Sequence, residues 1–393
     1  MDRDRLKELS EIYRSGLLED TIPFWLNHAI DQEHGGFLIA LDRDGSVLDT
    51  DKGMWQHGRF TWLLATLYHR VEKNPEWLEL ARSGIEFMQQ HAFDGDGRMF
   101  FQTTRDGRPL RKRRYAYTEA FAAMAFSAYA RASGDEAAAD RAAALHRIFV
   151  QDAIEGQRGE PKVDAKTRPM KGLGPYMILI NLSQTLRENL DLPEMNQWID
   201  HAIDTIERDF VKHDLKAVME LVGSDGEVLD HFDGRMLNPG HAIEAAWFIM
   251  RESQHRDNDQ RLLKLGTTML DWMWDRGWDK DHGGLLYNVD MKGLPVQEYW
   301  HDMKFWWNHN EAIIATLFAY LLTDNWKYLQ MHEEVHEWAY AHFPDREHGE
   351  WFGYLHRDGS LSVPLKGNMW KGPFHLPRMQ LTCWELIQKM NEG

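Results

Sequence analysis

Asp31-Gln32-Glu33-His34-Gly35-Gly36-Phe37 recurs as Asp279-Lys280-Asp281-His282-Gly283-Gly284-Leu285 and again as Asp345-Arg346-Glu347-His348-Gly349-Glu350-Trp351. In every copy a further glycine follows the histidine at one fixed distance, at Gly45, Gly293 and Gly359. Three copies in one register predict a repeated supersecondary unit. Each reads as a hairpin: His-Gly-Gly supplies a corner with positive φ, a short apolar strand follows, and Asp-Gly or Lys-Gly turns the chain into a second strand. Residues 100–107 and 218–228 read as two more. The repeated His34, His282 and His348 read as turn-stabilising groups, because a repeat does not copy a catalytic residue three times.

Between the hairpins the apolar period is 3.6, which predicts helices near 6–29, 54–73, 75–93, 114–133, 135–151, 172–191, 194–213, 239–254, 257–275, 304–324, 325–342 and 375–390. Asn74-Pro75-Glu76 and Asp257 read as cap regions, and Gly134 as a stop. The connections alternate, short after each even helix and long after each odd one, and most of the long ones carry the hairpins. Short turns make antiparallel neighbours. Six helical pairs closing on themselves give an all-α (α/α)6 barrel of twelve helices, with β-hairpins in the long loops on one face. The even helices are the more apolar, as in Phe121–Phe126 and Ala312–Phe318, and are expected inside. An open bundle or a linear solenoid has the same periodicity.

Residues 1–393 read as one catalytic domain, since no linker or low-complexity run divides them. Forty-five basic against 62 acidic residues give a formal charge of −17, which opposes binding to nucleic acid or anionic membranes. The start Met1-Asp-Arg-Asp-Arg has no apolar leader, no run is long enough to span a bilayer, and the lone Cys383 has no disulfide partner. A cytoplasmic setting is expected. Neither a zinc-binding thiolate cluster nor a nucleotide-binding glycine motif is present.

Polar and aromatic residues crowd the starts of four even helices: Met54-Trp55-Gln56-His57-Gly58-Arg59, Asn238-Pro239-Gly240-His241-Ala242-Ile243-Glu244, Trp306-Trp307-Asn308-His309-Asn310-Glu311 and Gly372-Pro373-Phe374-His375-Leu376-Pro377-Arg378. In a closed barrel they surround one mouth. Duller readings exist for each: Asn238-Pro239 is a good helix start, and Asn308-x-x-Glu311 fits a cap. A helix N-terminus disfavours an imidazolium, so His241 is expected neutral, the form a general base needs. Two imidazoles reaching one cavity can take a proton from one face of a carbon and return one to the other, with Arg59 holding the enediolate formed beside an aldehyde. A glycoside hydrolase needs two carboxylates instead, and Glu244 and Glu311 are available. His241-x-x-Glu244 with His309 is a possible metal set, but so short a pattern is common, and no metal is expected.

Taken together, these segments, with Thr104–Pro109 and Glu350–Leu355, resemble the N-acylglucosamine 2-epimerase family nearly end to end. The resemblance implies the same (α/α)6 barrel and interconversion of N-acetylglucosamine and N-acetylmannosamine through C2 of the ring-opened sugar. It implies His241 and His375 as acid/base residues, Arg59 as enediolate stabiliser and Glu311 as their support. Trp55, Glu244, Trp307, Asn181 and Arg378 are the candidate substrate contacts. Related branches epimerise mannose or cellobiose, or isomerise aldoses to ketoses, and tend to carry a His-Met-His-like segment on the sixth helix. Gly174–Asn181 here has no histidine and is more similar to the N-acyl sugar branch. A homodimer, activation by ATP or another nucleotide without a required cofactor, and a non-enzymatic protein-binding role are also implied only by the resemblance.

Overall fold

The computed structural model describes residues 3–113, 115–157 and 163–392, so the chain ends and the first residue of the expected 114–133 helix lie outside the described residues. Twelve long helical stretches occur among them: α1 (3–28), α2 (Met54–Arg70), α3 (Pro75–His91), α4 (Tyr117–Ser133), α5 (136–154), α6 (Leu173–Leu190), α7 (196–210), α8 (Pro239–His255), α9 (Gln260–Gly277), α10 (Trp306–Thr323), α11 (Trp326–His342) and α12 (His375–Glu392). α1, α5 and α7 each contain a π-helical turn. In α1 it falls just before Pro23, whose missing N–H cannot serve an ordinary turn. Asn74 caps α3 through Glu76 N and Gly134 ends α4 at φ 79°. Asp259 rather than Asp257 caps α9, because Asp257 and Asn258 are used in the preceding turn with positive φ.

α2, α4, α6, α8, α10 and α12 pack on one another in that order, and each odd helix from α3 to α11 lies against the inner helix before it, with α1 on α12. The inner ring closes through Trp62 of α2 against Phe374, with ring centroids 5.4 Å apart, and through the Arg70–Glu385 ion pair between α2 and α12. Burial follows position. α10 is buried without a break from Trp306 to Tyr320, whereas α9 buries one stripe and leaves the rest to solvent.

The hairpins form a second ring over the N-terminal ends of the inner helices. The short run-in to an inner helix pairs with the hairpin that follows: Lys52–Gly53 with Gln102–Thr103, Lys171–Gly172 with Leu221–Val222, Met236–Leu237 with Val289–Asp290, and Lys304–Phe305 with Tyr354–Leu355. The series returns to its start, where Leu41 N donates to Gly367 O at 3.1 Å and Lys366 N donates to Leu41 O at 3.0 Å. An open bundle or a solenoid would leave those edges unpaired. The turns at Gly226 and Gly293 form, but no return strand follows either of them.

Asp31, Asp279 and Asp345, not the histidines, stabilise the repeated corner. Asp31 accepts from the Glu33 and His34 amides, Asp279 from Asp281 N, and Asp345 from Glu347 N. Each aspartate also pairs with a buried lysine from a run-in, Lys52 at 2.9 Å, Lys304 at 3.0 Å and Lys366 at 3.1 Å. An arginine from a neighbouring hairpin completes each set: Arg105, Arg357 and, across the point of closure, Arg43. Removing one partner from a buried set of this kind costs about 3–5 kcal/mol. The rings of His34, His282 and His348 stand exposed and make no turn hydrogen bond. Gly45 and Gly359 have φ of 86°, and a Cβ at either would lie 2.3–2.4 Å from the imidazole of His28 or His342 at the end of an outer helix.

Candidate active site

Each inner helix begins just beneath the hairpin ring, so side chains in its first two turns face the mouth. Asn238 caps α8 by accepting from His241 N at 2.9 Å, and Pro239 takes the first helical position. His241 is thereby fixed on the rim. Gly240 is required by its neighbours, since a Cβ there would lie 2.6–2.7 Å from Asn308 and Trp307. Trp307 therefore comes close enough to pack against both imidazoles, with centroids 5.1 Å from His241 and 5.7 Å from His375.

The two histidines are held by different carboxylates. His241 Nδ1 donates to Glu220 at 3.0 Å, and His375 Nδ1 donates to Glu311 Oε1 at 2.7 Å. In both rings Nε2 makes no hydrogen bond among the described residues. Burial alone would lower the pKa of His241, but the charge and hydrogen bond of Glu220 outweigh it, and the pKa is raised. The shift at His241 thus runs opposite to the one expected from its helix position, because a carboxylate in contact exceeds a helix terminus. At His375 the direction is reversed. Burial first, then the charges of Arg378, Arg59 and His241, hold its pKa well below 6.5. A carboxylate at 2.7 Å would ordinarily raise an imidazole, but Glu311 Oε1 also accepts from Arg378 Nη2 at 2.7 Å and its charge is already answered.

Arg378 draws this side together. Its Nη2 donates to Glu244 and to Glu311, while Glu311 Oε2 accepts from Trp247 Nε1 at 2.8 Å. Glu311 is consequently no helix cap, and Glu244 reaches Arg378 rather than a histidine. Arg59 is held differently: its guanidinium lies 4.1 Å from the Phe121 ring centroid and 4.7 Å from that of Phe374, with no ion pair among the described residues. Burial, then repulsion from Arg378, lowers its pKa to about 9. It stays cationic at neutral pH, with Glu244 and Glu311 near enough to act on it but not bonded to it, which leaves its donors for an anion that forms during reaction.

Trp55 donates to Thr118 Oγ1 at 2.9 Å and packs against Phe101, Tyr117, Phe121 and Trp370, extending the aromatic wall under Arg59. Asn181 lies deeper, in the middle of α6, where it lines a lower chamber with Trp247 and Arg378. His309 does not reach the mouth: its Nε2 accepts from Leu285 N at 2.9 Å and its Nδ1 donates to Phe305 O at 2.6 Å. It is no metal ligand. Glu244, Glu311 and His375 do offer donor atoms within 4.8 Å of one another, but the guanidinium of Arg378 already bonds both carboxylates, so a metal ion would have to displace it. Glu220 and Trp247 were not anticipated. A lone carboxylate inside the apolar run Val218-Met219-Glu220-Leu221-Val222 is a signal that could have singled out the first, though not its partner; Trp247 had none.

A family model described as N-acylglucosamine 2-epimerase matches residues 35–375. The N-acylglucosamine 2-epimerase of Bos taurus is 36% identical over 384 residues, covering 95% of this chain and 90% of that protein. Among solved structures, a cellobiose 2-epimerase from Spirochaeta thermophila superposes with a TM-score of 0.85 at 23% identity, covering 99% of each chain. A D-mannose isomerase gives 0.81 at 19% identity, covering 99% of this chain and 98% of the other. At such identities these two show a common fold, the (α/α)6 barrel.

Proposed function

The chain belongs to the N-acylglucosamine 2-epimerase family, and on that footing we propose that it interconverts N-acetylglucosamine and N-acetylmannosamine at C2 of the ring-opened sugar. The observation that carries this reading is the pair of imidazoles packed against Trp307, each with Nδ1 on a carboxylate and Nε2 unpartnered. One removes the C2 proton, and the C–H electrons move onto the C1 carbonyl oxygen. The resulting enolate, an enediolate when C2 bears oxygen, places its negative charge beside Arg59. The second imidazole then delivers a proton to the opposite face of C2, and the C1 carbonyl re-forms.

The opposed pKa shifts give the two groups different starting states. His375, whose pKa is lowered, serves as the base and His241, whose pKa is raised, as the acid in one direction, and the reverse direction uses the same singly protonated pair with the proton on the other ring. The hydrolase reading is disfavoured, because Glu244 and Glu311 are both bonded to Arg378 and neither is free to protonate a leaving group. The proposal further includes a homodimer in the cytoplasm, turnover without a required metal or cofactor, and ATP as a modulator.

Proton NMR in D₂O with N-acetylmannosamine, mannose and cellobiose in turn, with and without ATP and with EDTA, tests it. The C2 epimer of N-acetylmannosamine carrying deuterium at C2, formed in the presence of EDTA, is the expected product. A ketose from mannose would make the protein an aldose–ketose isomerase, and absence of exchange with every sugar would remove the enolate mechanism.

A further inference from the structure

At the end of the barrel away from the hairpins, the C-terminal halves of the inner helices enclose a chamber of about 560 Å³, the size of a small-ligand site. Its lining holds more cations than carboxylates, the reverse of the whole chain. Five cations, Arg70, Arg131, Arg251, Lys389 and Arg378, line it with two carboxylates, Glu188 and Glu385, in a protein of net charge −17. Arg70 neutralises Glu385 and Arg251 neutralises Glu188, while Arg131 pairs with the exposed Asp191 at 3.2 Å. Lys389 makes no ion pair among the described residues. His69 lies on the same wall, and its pKa is lowered by burial first and then by Lys73, Arg131 and Arg70.

Cations in the last turn of a helix offset the negative end of its dipole, which accounts for Arg70, Arg131 and Lys389 one at a time. It does not account for Arg378, which lies in the first turn of α12 where a cation is disfavoured. Arg378 is buried, its bonds to carboxylates leave from Nη2, and its Nε has no partner among the described residues. Nor do dipoles explain why Asn181 lies on the inner wall of the same space beside Thr185, whose hydroxyl donates to the Asn181 carbonyl at 2.7 Å and can still accept.

We propose that this chamber is a second ligand site, for a small polyhydroxylated anion such as a sugar bearing a carboxylate or a phosphate. The cations take the anionic group, and Asn181 and Thr185 face the hydroxyls. Arg378 belongs to both sites: it lines the chamber and fixes Glu311 on His375, so occupancy reaches the catalytic imidazole through a single side chain. Binding at this site does not depend on which sugar the mouth turns over.

Isothermal titration with gluconate, glucose 6-phosphate and neutral glucose tests the site. Wild type is compared with the double variant Lys389→Glu, Arg131→Gln, whose residues lie at the chamber's outer end. Wild type is expected to bind at least one of the two anions, which one naming the carboxylate or the phosphate, and to bind glucose at least about tenfold more weakly. The double variant should lose about tenfold or more in affinity for that anion while keeping kcat/KM without ligand within about twofold. If its thermal midpoint falls, Lys389→Gln alone, which breaks no ion pair, serves in its place. Failure of both anions to bind, equal binding of glucose, or unchanged affinity in a folded variant would overturn the proposal.

Discussion

Four histidines stand in the first turns of inner helices, and they divide into two kinds. His57 and His309 accept a hairpin amide at Nε2, from Phe37 and Leu285 at 2.9 Å each, and donate from Nδ1 to the carbonyl of Gly53 or Phe305. Both ring nitrogens are used, and burial lowers both pKa values to about 3. His241 and His375 use only Nδ1, and they use it on a carboxylate. A histidine in this barrel is therefore architectural when the backbone takes both nitrogens and chemical when a carboxylate takes one. The repeat supplies the position; the partner decides the use.

The largest test of that division is His375→Gln, which should lower kcat by about 10²–10⁴ at an unchanged thermal midpoint; a variant that turns over normally would break the comparison on its chemical side. His309→Gln should do the opposite. Leaving Leu285 N without its acceptor is expected to cost about 1–3 kcal/mol of stability in denaturant titrations, with kcat retained well below the midpoint. Should kcat collapse while stability holds, His309 belongs with the catalytic pair.

Glu220→Gln sharpens the contrast within that pair. kcat/KM should rise with pH as His375 loses its proton, below the ordinary imidazole value of about 6.5, and fall as His241 loses its own, above it. Removing the Glu220 charge leaves burial opposed only by the smaller influence of Glu244 on His241, so the alkaline limb moves to lower pH. Each unit moved costs about tenfold in rate on that limb. A pH profile identical to wild type would detach Glu220 from His241. The smallest effect is expected from His282→Ala, less than about 0.5 kcal/mol in stability, since the exposed ring does none of the work done by Asp279; a larger loss would restore the histidine to the turn.

The (α/α)6 count was legible because it rests on periodicity and on connection length, both local properties of the chain. So was the group Arg59, His241, Glu311 and His375, since each lies in the first turns of an inner helix and barrel closure alone brings them together. What escaped was the pairing of partners. Glu220 comes from a hairpin, and nothing in its neighbours says that it will meet His241; the direction in which the pKa of His241 moves was misjudged for that reason. The corner histidines were read by their repetition, but Asp31, Asp279 and Asp345 repeat equally well, and only burial separates the group that bonds from the one that faces water. Asn181 lies midway along α6, and depth along an axis cannot be read from a motif.

Arg43 and Asp345 are 302 positions apart in the chain and meet where the ring of hairpins closes. Arg59 stands on one side of that junction and His375 on the other. During synthesis the first hairpin leaves the ribosome long before its partner exists, and the reactive cavity depends on contacts that span most of the chain. Partial chains hold the cation or the second base, never both in place. Activity is thus deferred to the end of assembly, because a chain cut short of α12 has Arg59 but lacks one of the two imidazoles that exchange the proton.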